Sequence, residues 1–437
     1  MSWLNFFDTK AELKHQFGRG INANLSDDEE DLFNKSHEAF EAKDILSAYE
    51  YFFKSLENFT NGVSNQNITS QRDGEKLTFV MYQGCAKIKG TITKESLYAE
   101  AILTKKSSAN VALKRLILER NYQLTYSYYF SDDEYIKLKL SHDNITMSPQ
   151  KVFFPLREIA LNTDFDKEYT RSEFPDVAIE DTQHTTPLNE EELTLKYEFM
   201  LSWIEEARSK ISTLPTNDNA GMQSFILLCL IFKIDYMLVP KYSIFQKSSK
   251  KIQEYFSDEN LTVEAKNEEL LIYIEELKVM NYEEFKKNFY DAKYTFNPTE
   301  KASHEEIDVF ITESLSKIRW YKNNRYNQII PTMYKYVALY LLYNYGLHPV
   351  TKQLLHTLVE IQNPSFFKAL GYTQLYDSQN ETFAKRAIVS RVESIISPYQ
   401  NRFKLLKPFG DKLNFTSLNE FSNSFYLQLK NLNYEEI

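Results

Sequence analysis

Residues 317–322 read Lys-Ile-Arg-Trp-Tyr-Lys and run into Arg325 and Tyr326, then Tyr334-Lys335-Tyr336. Cations interleaved with aromatic rings can bind single-stranded nucleic acid, by phosphate contacts and by stacking on bases. Lys317, Arg319, Trp320, Lys322, Arg325 and Tyr326 are therefore candidate nucleic-acid contacts. The competing reading is a helical corner with Trp320 or Tyr321 packed and the cations in solvent. A net charge of −10 weakens long-range attraction to phosphate, which ranks the packed corner first.

Other chemistry is sparse. His356 and Glu360 stand four residues apart, a helical spacing that can ligate a metal, but no third or fourth ligand lies nearby in sequence. An ordinary polar contact between turns accounts for them. Carboxylates cluster at Asp27 to Asp31, Asp132 to Glu134, Asp164 with Asp166, and Glu190 to Glu192. These read as helix starts, a turn and a helix end, where solvation and the helix dipole account for acidic residues. There is no P-loop, and Gly18-Arg19-Gly20 follows no strand; serine-nucleophile elbow and zinc-protease patterns are missing too. We nominate no catalytic residue, no metal site and no cofactor.

The scaffold that would position these groups has 437 residues, of which 43% are hydrophobic. That is enough for a core and excludes a disordered chain. Ten glycines and twelve prolines favour helix over glycine-rich loops. Two distant cysteines, Cys85 and Cys229, suggest a reducing compartment. The N-terminal stretch lacks a basic and then apolar leader, and the apolar run from Phe225 to Val239 is interrupted by Lys233 and Asp235. The expectation is a cytoplasmic protein that does not engage a membrane.

Residues 1–25 read as a short aromatic arm. Residues 28–59 come next as a helical hairpin, with Ser26 and Glu29 as a capping box. Ala39, Asp44, Ala48, Tyr51, Phe52 and Leu56 give that hairpin a resemblance to a single tetratricopeptide unit. Lys43 and Ser55 depart from the pattern, which usually has glycine and alanine there. From 61 to 105 the period changes to two: Leu77, Phe79 and Met81, then Ala86, Ile88, Gly90 and Ile92, then Leu97 to Leu103. A helix from Ser108 to about Arg120 leads to a hairpin. In it Tyr122, Leu124, Tyr126, Tyr128 and Phe130 share one parity and Ile136, Leu138 and Leu140 answer them. On this reading Leu124 and Leu138 are core. The opposite parity, with Thr125, Tyr129, Lys137 and Lys139, is a candidate protein-binding face. A further helix spans about Pro155 to Tyr169.

The order of helix, three or four strands, helix, two strands, helix over about 28–170 resembles the type III secretion chaperone-like fold, shared with bacterial sensory-transduction-regulator domains. The resemblance is one of topology alone. It implies a small module that binds another protein, often as a dimer.

Residues 171–188, with Pro175 and Pro187 and little periodicity, read as a linker and the main site of proteolysis. From 189 to 437 the chain reads as helical. Starts are marked at Asn281, Ser303, Ser378 and Ser417, and Pro349 and Pro364 fall at first-turn positions. The fold expected is an α+β N-terminal module over 1–170 followed by an all-α domain. The function expected is that of a non-enzymatic adaptor or chaperone-like protein, with nucleic-acid binding or an enzyme of unknown class as alternatives.

Overall fold

The computed structural model describes residues 15–18, 21, 23–60, 63–215 and 219–436. Most of the expected arm lies outside the described residues. The N-terminal module opens with helices α1 (Asp27–Glu41) and α2 (Ile45–Ser55). Ser26 and Glu29 close a capping box at the start of α1. Lys43 takes a left-handed φ of 60° between the two helices, at the position where glycine would be at ease. Phe40, Tyr49, Phe52 and Phe53 are buried between the pair and the neighbouring sheet.

A short hairpin of β1 (Phe59–Thr60) and β2 (Val63–Ser64) precedes β3 (Ile68–Asp73), β4 (Lys76–Gln83), β5 (Ala86–Ile92) and β6 (Ser96–Lys105). Helix α3 (Val111–Arg120), strands β7 (Ser127–Ser131) and β8 (Tyr135–Asp143), and helix α4 (Pro149–Glu173) complete the module. The six strands run in the order β3-β4-β5-β6-β8-β7, every pair antiparallel. Alternation places Leu77, Phe79, Met81, Ile88, Leu138 and Leu140 on one face, all buried. Helix α4 covers that face with Val152, Leu156, Ile159 and Ala160. Ala99 and Ala101 lie beneath it, small enough to let the helix approach. Helix α3 is capped by Asn110 rather than Ser108, because Asn110 is the side chain that accepts from the Leu113 amide.

The rest is helical: α5 (Glu190–Ser212), α6 (Ala220–Leu238), α7 (Tyr242–Ser257), α8 (Val263–Val279), α9 (Tyr282–Lys286), α10 (His304–Asn323), α11 (Ile330–Asn344), α12 (Pro349–Gln362), α13 (Pro364–Ala369), α14 (Lys385–Ile396) and α15 (Leu418–Leu429). Two-residue strands β9 (Thr186–Pro187) and β10 (Tyr290–Asp291), and β11 (Tyr376–Asp377) and β12 (Thr382–Phe383), pair between them. The chain is thus an α+β module followed by an α-helical half. Ser303 and Glu306 form the expected capping box, and Asn281 and Ser417 cap their helices. Ser378 does not. It lies in the turn between β11 and β12, where the Asp377 carboxylate accepts the amides of Gln379 and Asn380. Helix α6 is long and apolar enough to cross a membrane by length and composition, but it is 83% buried inside the protein, between α5, α8 and α11. Phe17, ahead of the helices, packs on Tyr236, His356, Phe367 and Tyr372.

Residues 171–188 are not an open linker. Helix α4 runs through Glu173, and Val177 is buried in the first core. Ile179 bridges Thr104, the Glu180 amide donates to the Leu103 carbonyl, and His184 bonds the Gly84 carbonyl. At the end of the segment β9 is held by β10. The residues after β10 return the contact. The Gln83 side-chain oxygen accepts the amides of Thr295 and Phe296, Gly84 donates to the Lys293 carbonyl, and Phe296 is buried in the core of the first module. These bonds involve backbone groups and short bridges, which leave no trace in hydrophobic periodicity.

The expected outcome of limited trypsin digestion is therefore persistence of the bonds after Lys167 and Arg171, with no pair of stable fragments divided between 171 and 188. A second expectation concerns Lys233 on α6. Burial, and then repulsion from Lys335, pushes its ammonium down to about 7. The unfolded chain, with an ordinary lysine, holds more protons between that value and about 10. Stability should rise with pH across this window. Lys233→Met should flatten the rise and raise the melting temperature at neutral pH, as read by thermal melts at several pH values.

Candidate functional site

The hairpin of β7 and β8 decides which side chains face outward. In β8 the expected parity holds: Ile136, Leu138 and Leu140 are buried, and Lys137 and Lys139 are on the other face. In β7 it is inverted. Tyr129 pairs with Leu138 and is only 6% exposed, whereas Tyr128 is 44% exposed. The reason lies in polar chemistry. Asp166 on α4 is buried and bonded to Arg120, with Oδ1 at 3.0 Å from Nε, and the Tyr129 hydroxyl donates to Oδ2 at 2.7 Å. Burial pushes the Asp166 carboxyl up against the pull of Arg120 and Tyr129. Burial and that carboxylate together push the Tyr129 phenol well above its ordinary range, so the phenol stays a donor. A tyrosine can satisfy this carboxylate, and Phe130 could not. The Tyr129 backbone also exchanges two bonds with the Asn121 side chain.

The strand is shorter than expected as well. Glu158 accepts the amides of Thr125, Tyr126 and Ser127, at 2.8 to 2.9 Å, which ends the ladder before Ser127. Thr125 is exposed, Leu124 is half-buried against the core, and Tyr122 is 93% exposed. With Glu158 and Asn121 occupying its amides, the outer edge of β7 is closed to an added strand.

The face of the sheet opposite α4 carries the outward residues. Tyr128 stands across from Lys139, and Phe130 across from Lys137. On the next strand, Tyr98, Glu100 and Ile102 share that face, with Glu100 opposite Lys139 and Ile102 opposite Lys137. The Lys139 ammonium lies 4.9 Å from the Tyr98 ring centre and 5.3 Å from that of Phe130. Lys137 bonds Glu100 at 3.1 Å and Asp132 at 3.0 Å, and the Tyr98 hydroxyl donates to Glu100 at 2.6 Å. Toward β5, Asp181 lies against Lys87 and Lys89. Of the four residues that sequence assigns to a partner face, Thr125, Lys137 and Lys139 are reachable and Tyr129 is not. Tyr98, Tyr128 and Phe130 take its place. The pairing of β7 on β8 is the signal that could have found them.

The basic–aromatic corner forms the C-terminal turns of α10 and the loop beyond. Ile318 is core and Trp320 is 56% exposed, so of the two rings offered by the packed reading it is Tyr321 that packs. The Trp320 ring stacks on Tyr326 at 6.2 Å and meets Tyr321 edge-on at 5.0 Å. Tyr321 is the half-buried member and packs against Phe225. Lys317, Arg319, Lys322 and Arg325 are exposed around them. Lys322 is paired with Glu420 at 3.1 Å and Lys317 lies over the Phe225 ring.

The remaining candidates are internal. His356 accepts or donates at Nδ1 to the Tyr236 hydroxyl, 2.9 Å away, while Glu360 turns to Arg391 at 3.1 Å. Burial drives the imidazole down to about 3, so it is neutral. Among the described residues no three His, Cys, Asp or Glu side chains come together as metal ligands. Of Asp164 and Asp166, expected in solvent at a helix end, Asp166 is buried on α4 and Asp164 is half-buried. Asp164 lies one turn beyond Ala160 and Lys167 two turns beyond it, so both share the core face; that spacing was the available signal.

Two substitutions separate the faces of β7. Tyr129→Phe leaves the buried Asp166 carboxylate short of a donor and should lower stability by about 1.5–3 kcal/mol. Tyr128→Ala should change it by less than about 0.5 kcal/mol. Urea unfolding of the two variants checks both values. No protein-family model matches this chain and no curated protein is similar to it in sequence, so what these surfaces do follows from their geometry.

Proposed function

We propose that this protein is a non-enzymatic, adaptor- or chaperone-like protein that binds another protein on the open face of its N-terminal sheet. The observation that carries the reading is the ring-and-cation patch of Tyr98, Tyr128, Phe130 and Lys139. Aromatic side chains with few rotamers are the usual anchors of protein interfaces. Lys139 has aromatic neighbours but no carboxylate within ion-pair distance among the described residues, which favours an acidic segment on the partner. The resemblance of the module to chaperone-like domains supports the same reading. Cys85 and Cys229 are both buried and unpaired, which suits a reducing cytoplasm.

A second reading is favoured by the exposure of Trp320. An indole half in water, stacked on Tyr326 in a segment that also carries four exposed cations, suits a base-stacking site for single-stranded nucleic acid.

The two readings are told apart by capture from the native cell with three baits: wild type, the Tyr128→Ala/Lys139→Glu variant and Trp320→Ala. The expected outcome is one or more proteins retained by wild type and Trp320→Ala and lost with the sheet variant. A capture profile indifferent to the sheet variant would overturn the first reading. For the second, oligonucleotide affinity should fall steeply with salt, and Trp320→Ala should cost about 1–3 kcal/mol. Lack of binding at low salt would remove it.

A further inference from the structure

The six-stranded sheet has two edges, β7 and β3. Glu158 and Asn121 close the first. The second is bare. Helix α2 packs on one face of β3, and residues 69–73 are all exposed. Pairs in an antiparallel ladder alternate between bonded and non-bonded. The Tyr82 amide donates to the Asn67 carbonyl at 2.8 Å, which makes these two a bonded pair just ahead of Ile68 and Met81. Counted in register from there, Thr69, Gln71 and Asp73 bond β4, and the N–H and C=O groups of Ile68, Ser70 and Arg72 point away from the sheet. Among the described residues no bond outside the ladder takes up those groups.

Natural sheets blunt an open edge with lysine, proline, a bulge or a covering segment. Strand β3 reads Ile-Thr-Ser-Gln-Arg-Asp, six residues without lysine or proline, paired with no shift of register. Its one cation, Arg72, is turned to Glu50 on α2 at 3.4 Å.

We propose that β3 is a self-association edge, to which β3 of a second copy adds antiparallel about a two-fold axis at Ser70. An interface on a two-fold axis must complement itself, and this strand does. Ser70 meets the Ser70 of the second copy, Ile68 meets its Arg72, and Thr69 meets its Gln71. Each outward N–H then finds a C=O, and no like charges stand opposite each other. A foreign peptide added to an edge draws its specificity from pockets for alternate side chains. The clefts beside α7, α1 and Tyr236 include no residue of β3, which leaves strand pairing itself as the source of specificity. The axis stands perpendicular to the sheet, so the dimer carries both patches of Tyr98, Tyr128, Phe130 and Lys139 on one side of a continuous sheet. Their joint use rests on the binding role proposed for that face; the pairing does not.

The test is analytical ultracentrifugation of the full chain at micromolar concentrations. Wild type should show a monomer–dimer equilibrium, in the weak range that one strand pair supports. Ser70→Pro removes the amide at the axis. That amide faces away from β4, so the melting temperature of the monomer should hold. Self-association should weaken by about tenfold or more, the scale of two lost backbone bonds. Ser70 is exposed, so Ser70→Lys and Ser70→Glu should fold as well. Each sets like charges opposite each other and should be monomeric, and an equimolar mixture of the two should recover the dimer. A monomeric wild type, which would leave the edge to an extended segment of another protein, overturns the inference. So does a dimer untouched by Ser70→Pro, or a mixture that stays monomeric.

Discussion

Lys167 is wholly buried in the middle of α4, and an ammonium out of water is costly unless its N–H groups are met. Its Nζ donates to the carbonyls of Cys85, Glu180 and Asp181, at 3.1, 2.7 and 3.3 Å. Beside it, Asp164 accepts the Cys85 amide at 2.8 Å. Burial drives the carboxyl up and the ammonium down; the charge of Lys241 and the bond from the Cys85 amide oppose the first shift, and neighbouring acidic groups, Asp181 and Asp164 among them, oppose the second. The pair thereby fixes three things at once: the β4–β5 turn, the chain that leaves α4, and the helix itself. Gly84 in that turn shows how tight the fit is. It has a φ of +55°, and a Cβ there would sit 2.1 Å from an Asp164 oxygen.

The direction of α4 follows from this clamp, and the two faces of the sheet follow from α4. One face is sealed by Leu156, Ile159 and Ala160. The other is left with aromatic rings and lysines that satisfy one another only in part. The same helix packs against α7, so one element seals the sheet on one side and joins the helical half on the other.

Much of this was legible in the residues. Alternation in β4, β5, β6 and β8 identified the inner face, and cap residues marked the starts of α1, α9, α10 and α15. Strand β7 was not legible, because Ser-Tyr-Tyr-Phe-Ser offers an aromatic ring to either face. The group that breaks the tie, Asp166, lies 37 residues from Tyr129. The segment after α4 misled for a related reason: carbonyl acceptors and two-residue strand pairs carry no side-chain pattern. Ser378 and Glu381 had the spacing of a helix cap, but local Asp377 bonds make a hairpin turn there.

Phe296 belongs to the core of a module whose strands end at Asp143. On a ribosome that gap has a duration. At about 5–20 residues per second, roughly 8–30 s pass between the emergence of the last strand and that of the ring that completes its core. During that interval the nascent sheet has all its strands but lacks part of its filling, and the bed meant for Phe296 is open to solvent. The order of synthesis thus makes the first half of the chain a client of whatever holds unfinished proteins in the cell, until the second half arrives to close it.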